Sequence, residues 1–102
     1  MSAVFHQGGG VMLSFRIIEP IYGEVPLQDY DIKAYIYDRY GKKVLTTEDD
    51  GVDAIIDGDM VYIFIPKDKT KDMEGIYFAK AELTYNEQVL YSNELNNFEI
   101  IR

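Results

Sequence analysis

The sequence contains no cysteine, so it has no disulfide framework, no thiolate metal ligand and no cysteine nucleophile. This composition suits a reducing compartment. Histidine occurs once, at His6, in a segment that ends in three glycines, Gly8–Gly10. A catalytic base needs a fixed position and a partner for proton transfer, and a nucleophilic triad needs a histidine held in place. We therefore predict that the protein is not an enzyme.

Basic residues are also scarce. Ten Lys and Arg residues stand against 18 Asp and Glu residues, which gives a formal net charge of −8. Nucleic-acid binders need a basic surface that neutralises phosphates, and anionic lipid attracts clusters of basic residues. The charge therefore argues against nucleic acid and membrane lipid as partners. Other protein subunits, including copies of this chain, and carbohydrate are the partners that we expect.

Long apolar segments are absent as well. No run approaches the ~18 residues of a membrane span, and the longest is Met60 to Ile65. The first ten residues contain neither the basic region nor the apolar region of a signal peptide. No glycine-rich loop precedes a helix, so no cofactor is expected. The sequence predicts a chain without a membrane span that stays in the cytoplasm or is assembled into a virion.

The length of 102 residues is typical of one domain. A domain of this size buries roughly two-thirds of the surface that its unfolded chain exposes, which is enough for one core. The three consecutive glycines predict that residues 1–10 form a flexible lead. Residues 11–102 are predicted to form a single folded domain.

Alternating apolar and polar residues predict strands along most of the chain. The clearest strand runs from Gly75 to Tyr85, with Tyr77, Ala79, Ala81, Leu83 and Tyr85 on one face. Residues 57–59, Asp-Gly-Asp, lie between two apolar runs and predict a tight hairpin. The complete set of predicted strands covers residues 11–18, 30–38, 43–47, 52–56, 60–65, 75–85, 88–93 and 98–101.

The phase of the alternation changes near residues 93–97, which predicts a β-bulge or a small loop. The last strand then resumes the sheet. Seven or eight short strands, with turn signals every 8–12 residues or so, predict an all-β, immunoglobulin-like antiparallel β-sandwich. A small barrel and a jelly roll are the alternative all-β layouts.

The sixth predicted strand carries a resemblance to immunoglobulin-like domains. The run Glu74-Gly75-Ile76-Tyr77-Phe78-Ala79 resembles the acidic, Gly, Tyr and Cys pattern that opens strand F in those domains. The resemblance implies that Tyr77 forms a tyrosine corner and that Ala79 stands in the place of the cysteine. Both disulfide cysteines and the buried tryptophan are missing, so antibody-type relatives are not expected.

A cluster of carboxylates is the one candidate metal site in the sequence. It comprises Glu48, Asp49, Asp50, Asp53, Asp57 and Asp59. Calcium takes six to eight oxygen ligands, but the spacing does not match a calcium loop, so no metal ligand is predicted and calcium binding by segment 48–59 remains open. Acidic turns also occur because Asp favours turns and keeps hairpins soluble.

Aromatic residues point to a possible interaction surface. The alternation places six large side chains on the outer faces of three strands, namely Tyr35, Tyr37, Tyr62, Phe64, Ile76 and Phe78. Exposed aromatics are used by protein interfaces and by sugar-binding faces, although scattered or loop-covered aromatics need no function. The strand at 60–65 is apolar on both faces, which predicts burial on both sides or cover by a partner subunit.

The chain also resembles small β-sandwich domains of phage tail and baseplate proteins, including N-terminal domains that carry receptor-binding modules. The resemblance lies in Phe15-Arg16, Gly23–Leu27, Tyr30–Ile36, Tyr40–Lys42, Gly75-x-Tyr77 and Phe98–Ile101. It implies a non-enzymatic module that assembles with its own copies or with virion proteins, although such domains usually sit on larger proteins. A second expectation is a carbohydrate-binding or adhesion module that uses Tyr35, Tyr37, Tyr40 or Tyr62.

Overall fold

A computed structural model describes residues 3–16, 31–58, 60–85, 88–92 and 96–102. This part of the chain contains nine strands and one short helix. They are β1 (Ala3–His6), β2 (Val11–Arg16), β3 (Asp31–Asp38), β4 (Lys43–Thr46), β5 (Asp53–Asp57), β6 (Met60–Ile65), α1 (Lys67–Thr70), β7 (Gly75–Tyr85), β8 (Gln88–Ser92) and β9 (Asn96–Ile101). Eight of the nine strands match predicted ones, and β1 is the addition. Where the predicted and observed ends are both described, they coincide or differ by at most two residues.

The strands form two sheets. The larger sheet has the order β1-β9-β7-β3-β4, with β8 also paired to β7, and the smaller sheet has the order β2-β6-β5. All neighbouring strands are antiparallel except β1 and β9, which are parallel. This order matches strands B, E and D packed against strands G, F, C and C′ of a variable-type immunoglobulin domain. The predicted immunoglobulin-like β-sandwich is therefore confirmed.

The core lies between the inner faces of the two sheets. Strand β7 contributes Ala79, Ala81 and Leu83, each at most 1% exposed, because alternate side chains of a strand point to the same face. The smaller sheet supplies mostly β-branched residues to the same cluster, namely Val11, Ala54, Val61, Ile63 and Ile65. The short alanine side chains of β7 face these larger ones, so small and large residues interdigitate across the core.

Phe98 is the largest fully buried side chain of the described residues. Its ring meets the Phe5 ring edge to face at a centroid distance of 6.2 Å and stacks on the Tyr77 ring at 5.9 Å. Aromatic pairs in these arrangements add roughly 0.5–1.5 kcal/mol beyond the area that they bury. Phe98 therefore joins β1 and β7 through β9, the strand between them.

Tyr77 forms the tyrosine corner that the resemblance implies. Its hydroxyl oxygen accepts a hydrogen bond from the Glu74 backbone N–H at 3.1 Å and lies 3.4 Å from the Glu74 carbonyl, to which the hydroxyl can donate. A bond from this tyrosine to backbone a few residues upstream defines the corner in immunoglobulin-like domains. Ala79 is buried on the inner face of the same strand, in the place where antibody domains carry a disulfide cysteine.

The predicted flexible lead at residues 1–10 is wrong for Ala3–His6, which form β1 and pair with β9 from Phe98 to Ile101. The chain then turns through the glycines towards β2, and Gly8 adopts a φ of 82°. Thr70 fixes this turn, since its hydroxyl donates to the Gly9 carbonyl at 2.6 Å. The glycines thus serve a tight connection between the two sheets, because glycine adopts positive φ without steric cost.

Two hairpins connect neighbouring strands, and the one at residues 57–59 was predicted. Between β3 and β4, the Asp38 carboxylate accepts the Tyr40 and Lys42 backbone N–H groups at 2.9 Å each, and Gly41 has a φ of 83°. Between β5 and β6, Asp57 pairs with Met60 and Gly58 has a φ of 63°. Positive φ at the first central residue is shared by the type I′ and type II′ turns that favour hairpins.

The predicted phase change before the last strand is visible in the pairing with β7. Glu82 lies opposite Ser92, and Ala79 lies opposite Asn96. Glu82 and Ala79 are three residues apart on β7, whereas their partners Ser92 and Asn96 are four residues apart. One extra residue therefore lies between β8 and β9 relative to β7. Several predicted positions lie outside the described residues: strand positions 17, 18, 30 and 93, and the centre of the predicted irregularity at 93–95.

Replacing Tyr77 with Phe removes the corner hydroxyl and keeps the ring that stacks on Phe98. We expect the free energy of unfolding to fall by about 1 kcal/mol, because the Glu74 backbone loses its hydrogen-bond partner. Urea denaturation of the Tyr77→Phe variant measures this change. Tyr40→Phe is the control, since Tyr40 is 80% exposed. An equal effect of the two substitutions would show that the corner bond adds no stability.

Replacing Thr70 with Val keeps the shape of a fully buried side chain and removes its hydroxyl. The Gly9 carbonyl then loses its bond, so we expect a loss of about 1–2 kcal/mol in urea denaturation and faster amide exchange in β1. Thr84→Val, on the outer face of β7, is the matched control. Unchanged exchange in β1 would contradict the view that Thr70 anchors the N-terminal segment.

Candidate functional site

The six side chains predicted to form an interaction surface lie on two opposite faces of the sandwich. Tyr35, Tyr37, Ile76 and Phe78 lie on the outer face of the larger sheet. Tyr62 and Phe64 lie on the outer face of the smaller sheet, on β6. The structure therefore does not bring the six together, and each face has to be considered as a separate candidate surface.

The outer face of the smaller sheet is a compact array of nine residues in three rows. Cross-strand pairing gives the rows Met12–Phe64–Asp53, Ser14–Tyr62–Ile55 and Arg16–Met60–Asp57. Strand β6 forms the centre column, with Met60, Tyr62 and Phe64. We call the apolar part of this array, namely Met12, Ile55, Met60, Tyr62 and Phe64, the hydrophobic face.

The hydrophobic face is open to solvent. Met12 is 52% exposed, Ile55 45% and Phe64 38%, and these are three of the seven most exposed large hydrophobic residues in the described part of the chain. Met12 lies directly opposite Phe64, and Ile55 lies directly opposite Tyr62, at Cβ distances of about 4.5–5.5 Å. Tyr62 and Phe64 are neighbours on the same face of β6, so these residues form one contiguous patch. Contiguous exposed apolar patches mark interaction sites more often than single exposed residues do.

Strand β6 was predicted to be buried on both sides or covered by a partner subunit. Its inner residues Val61, Ile63 and Ile65 are at most 1% exposed, whereas Phe64 on the outer side is exposed. Burial on both sides within this chain is therefore wrong. The reason is that the smaller sheet forms an outer layer of the sandwich, with its second face towards solvent. The alternative in that prediction, cover by a partner, is taken up below.

A recess adjoins one end of the hydrophobic face. It has a volume of about 310 Å³, and Met12, Phe64, Gly51 and Pro66 are among its lining residues. Gly51 has a φ of 81°, and a Cβ atom there would lie 2.8 Å from Pro66 Cγ. A side chain at this position would therefore clash with Pro66, so glycine keeps this wall of the recess free of side-chain atoms.

The outer face of the larger sheet is more polar. Tyr37 lies opposite Phe78, and Ile76, at 44% exposed, lies opposite Glu99. Around them, the Lys43 ammonium lies 4.7 Å from the Tyr35 ring centroid, and Lys80 pairs with Glu82 at 3.5 Å. Because charged groups flank these half-buried aromatics, this face resembles an ordinary solvated sheet surface.

Met12 and Ile55 were not predicted to be members of a surface. Each is an isolated apolar residue at an outward position of its strand, and nothing within β2 or β5 alone marks it. The signal lies in the cross-strand register, which places both beside the outer residues of β6. The pairing of Asp57 with Met60 at the hairpin places Ile55 opposite Tyr62, because the turn sets the register of β5 with β6.

Two carboxylates of the acidic segment accept hydrogen bonds from nearby backbone N–H groups. Asp49 accepts the Thr46 backbone N–H at 2.7 Å, and Asp53 accepts the Ala54 N–H at 3.0 Å. Among the residues that the structure describes, no group of three or more His, Asp or Glu side chains could hold a metal ion. Asp59 lies outside them. His6 is exposed at the edge strand β1 of the larger sheet.

In the same described ranges, no helix is long and apolar enough to cross a membrane. Comparison with known proteins yields no further information about the site, since no family model and no curated protein matches the chain. The candidate site therefore depends on geometry and on the chemistry of its residues.

Proposed function

We propose that the protein is a non-enzymatic structural module that acts through protein–protein contacts at the hydrophobic face, as a component of a phage or prophage particle such as a tail or baseplate. The particle context is supported by the resemblance in sequence to phage tail and baseplate domains. The contact surface is supported by the geometry. The two parts of the proposal can therefore be tested separately.

The observation that carries the contact surface is the continuous exposure of Met12, Phe64 and Ile55 around Tyr62. Burying apolar surface contributes roughly 25 cal/mol per Å², so covering this face with a partner is favourable. Tyr62 stands at the centre of the array, and Met and Tyr are enriched at the centres of protein interfaces. The recess beside Phe64 offers a place for a protruding partner side chain.

The charge distribution favours a second copy of the chain as the occupant. Arg16, Asp53 and Asp57 are the charged residues of the nine-residue array. The face thus carries a net charge of about −1, from one positive and two negative groups, whereas the whole chain carries −8. Two copies repel each other least where their charge density is lowest and their apolar area is largest. A symmetric dimer would place the two arrays against each other.

Ile55 and Ile76 provide a matched pair of probes, because they are the same residue with 45% and 44% exposure on opposite faces. We expect Ile55→Asp to weaken self-association at least about 10-fold, since the introduced carboxylate must be desolvated in the interface. Ile76→Asp should change it less than about 3-fold. Sedimentation equilibrium over a range of protein concentrations measures both effects, and urea denaturation checks that both variants remain folded.

Three results would contradict either the second copy as the occupant or the hydrophobic face as the contact surface. A wild-type protein that stays monomeric at high concentration excludes a second copy as occupant. A larger effect of Ile76→Asp moves the contact to the larger sheet. Capture of a virion protein by wild type and by Ile76→Asp, but not by Ile55→Asp, keeps the surface and replaces the second copy with that subunit. Adjacent genes that encode no tail or capsid proteins would count against the particle context.

A second candidate function is carbohydrate binding, which Tyr40 supports. Its ring lies in the β3–β4 turn and is 80% exposed, with the Arg39 guanidinium carbon 5.0 Å from the ring centroid. Exposed aromatic rings stack on sugars. Tyr35 is less suitable, because its side chain is half-buried in the outer face of the larger sheet.

For this candidate, a glycan array should give hits that Tyr40→Ala abolishes and Tyr62→Ala leaves unchanged. Ring stacking is the expected source of the binding energy, so loss of the ring should remove it. An array without hits, or hits that survive Tyr40→Ala, removes the candidate.

A further inference from the structure

The edge of the larger sheet is open beside the first half of β3. Strand β4 pairs with Tyr35, Ile36 and Tyr37, and Thr47 continues this contact by bonding Ala34, with Thr47 N–H to Ala34 carbonyl at 3.2 Å. The Ala34 N–H in turn donates to Thr47 Oγ1 at 3.5 Å. Within the described ranges, Asp31–Lys33 pair with β7 on one side and with no strand on the other.

The Ile32 backbone faces this open edge. The N–H and C=O of one strand residue point to the same side, and this side alternates along the strand. Both groups of Ala34 point towards Thr47, so those of Ile32, two residues earlier, point the same way. Past Thr47 no strand of the described chain meets them. An unpaired N–H and C=O at a sheet edge is a template for pairing with another chain.

The opposite wall of the gap is also a strand edge. Strand β5 is the outermost strand of the smaller sheet. The Ala54 N–H at this edge donates to the Asp53 carboxylate at 3.0 Å. A groove of about 910 Å³ runs along these two edges and onto the outer face of the larger sheet. Its lining residues are Asp31, Ile32, Lys33, Tyr35, Thr47, Glu48, Asp53, Ala54, Glu82 and Thr84.

The groove carries a strongly negative charge. Four carboxylates line it, from Asp31, Glu48, Asp53 and Glu82, against the ammonium of Lys33. Lys80 pairs with Glu82 at 3.5 Å, so Asp31, Glu48 and Asp53 supply most of the excess negative charge. Such a surface attracts cationic groups and repels acidic ones. The lining also contains apolar side chains, Ile32 and Ala54, so the groove can accept the alternating side chains of an extended strand.

We propose that this groove binds an extended, lysine- or arginine-bearing segment of a partner protein, which pairs with the free edge of β3 at Ile32. This is recognition by strand addition, in which main-chain hydrogen bonds align the peptide and side-chain contacts select it. The carboxylates on both sides of the groove select basic side chains. The open edge at Ile32 lies on the other sheet from the hydrophobic face, although Asp53 borders both surfaces.

Charge argues against the other occupants that the chain suggests. Residues 17–30, which precede β3, contain three acidic residues and no basic one. A segment of this composition is repelled by the groove. A lone metal ion is disfavoured because no three acidic or histidine side chains among the described residues converge on one point.

The test uses the full chain and a short synthetic peptide in which lysine alternates with valine and threonine. Amide NMR spectra are recorded during titration with this peptide. We expect saturable binding that weakens as salt is raised, with the largest shifts at Ile32 and Ala54. We also expect slower hydrogen exchange at the Ile32 amide, because the added strand occupies the open edge.

Asp53 and Asp57 provide a matched pair of variants on one strand. Asp53→Asn removes a groove charge but keeps an oxygen that can accept the Ala54 N–H, and it should raise the dissociation constant about 3-fold. Asp57→Asn makes the same change outside the groove and should have no effect. Asp53→Asn combined with Glu48→Gln should raise the dissociation constant about 10-fold if the two sites act independently.

Several outcomes would overturn the proposal. One is the absence of saturable binding at peptide concentrations up to about 1 mM, which would mean a dissociation constant above about 1 mM. Equal binding of a peptide with glutamate in place of lysine would exclude charge selection. Shifts centred on Phe64 would assign the peptide to the hydrophobic face. Binding that appears only after residues 17–30 are replaced by a glycine–serine linker would assign the groove to that segment.

Discussion

Strand β7 is the element on which the rest of the larger sheet depends. It pairs directly with β3, β8 and β9, and it holds β4 and β1 through β3 and β9. Its inner face carries Ala79, Ala81 and Leu83, so the strand approaches the smaller sheet closely while its backbone pairs with strands on both sides. Tyr77 fixes the start of the strand to the Glu74 backbone. A disulfide at this place in antibody domains performs a related task, and here packing and the tyrosine corner are sufficient.

Much of this architecture could be predicted from single strands. Alternation identified β7 with both ends correct, and the Asp-Gly pair identified the β5–β6 hairpin. Strand β1 could not be predicted, because four residues beside three glycines give no periodic signal, and the strand is stabilised by pairing with β9 at the far end of the chain. Glycine was interpreted as flexibility, whereas Thr70 holds the Gly9 carbonyl in place.

The candidate surfaces were less predictable than the fold. Tyr62 and Phe64 were identified from β6 alone, but the hydrophobic face also contains Met12 and Ile55 from neighbouring strands. Their proximity follows from register, which depends on turns and on pairing between distant segments. The edge groove depends on where β4 stops, at Thr46, and on how β5 crosses the other sheet. Neither feature is encoded in a local pattern.

The groove follows from a mismatch in size, since a sheet of three strands packs against a sheet of six. The smaller sheet fully covers the inner residues Ala34 and Ile36 of β3, but Ile32 and Leu45 remain half-buried at the margin of the core. The larger sheet therefore extends beyond its partner, and its open edge at β3 forms the groove. The smaller sheet packs one face on the core and turns the opposite face to solvent. A soluble monomer would be expected to carry polar residues on that face, and Phe64, Met12 and Ile55 stand there instead. The arrangement is the one expected of a module whose outer layer is completed by a partner.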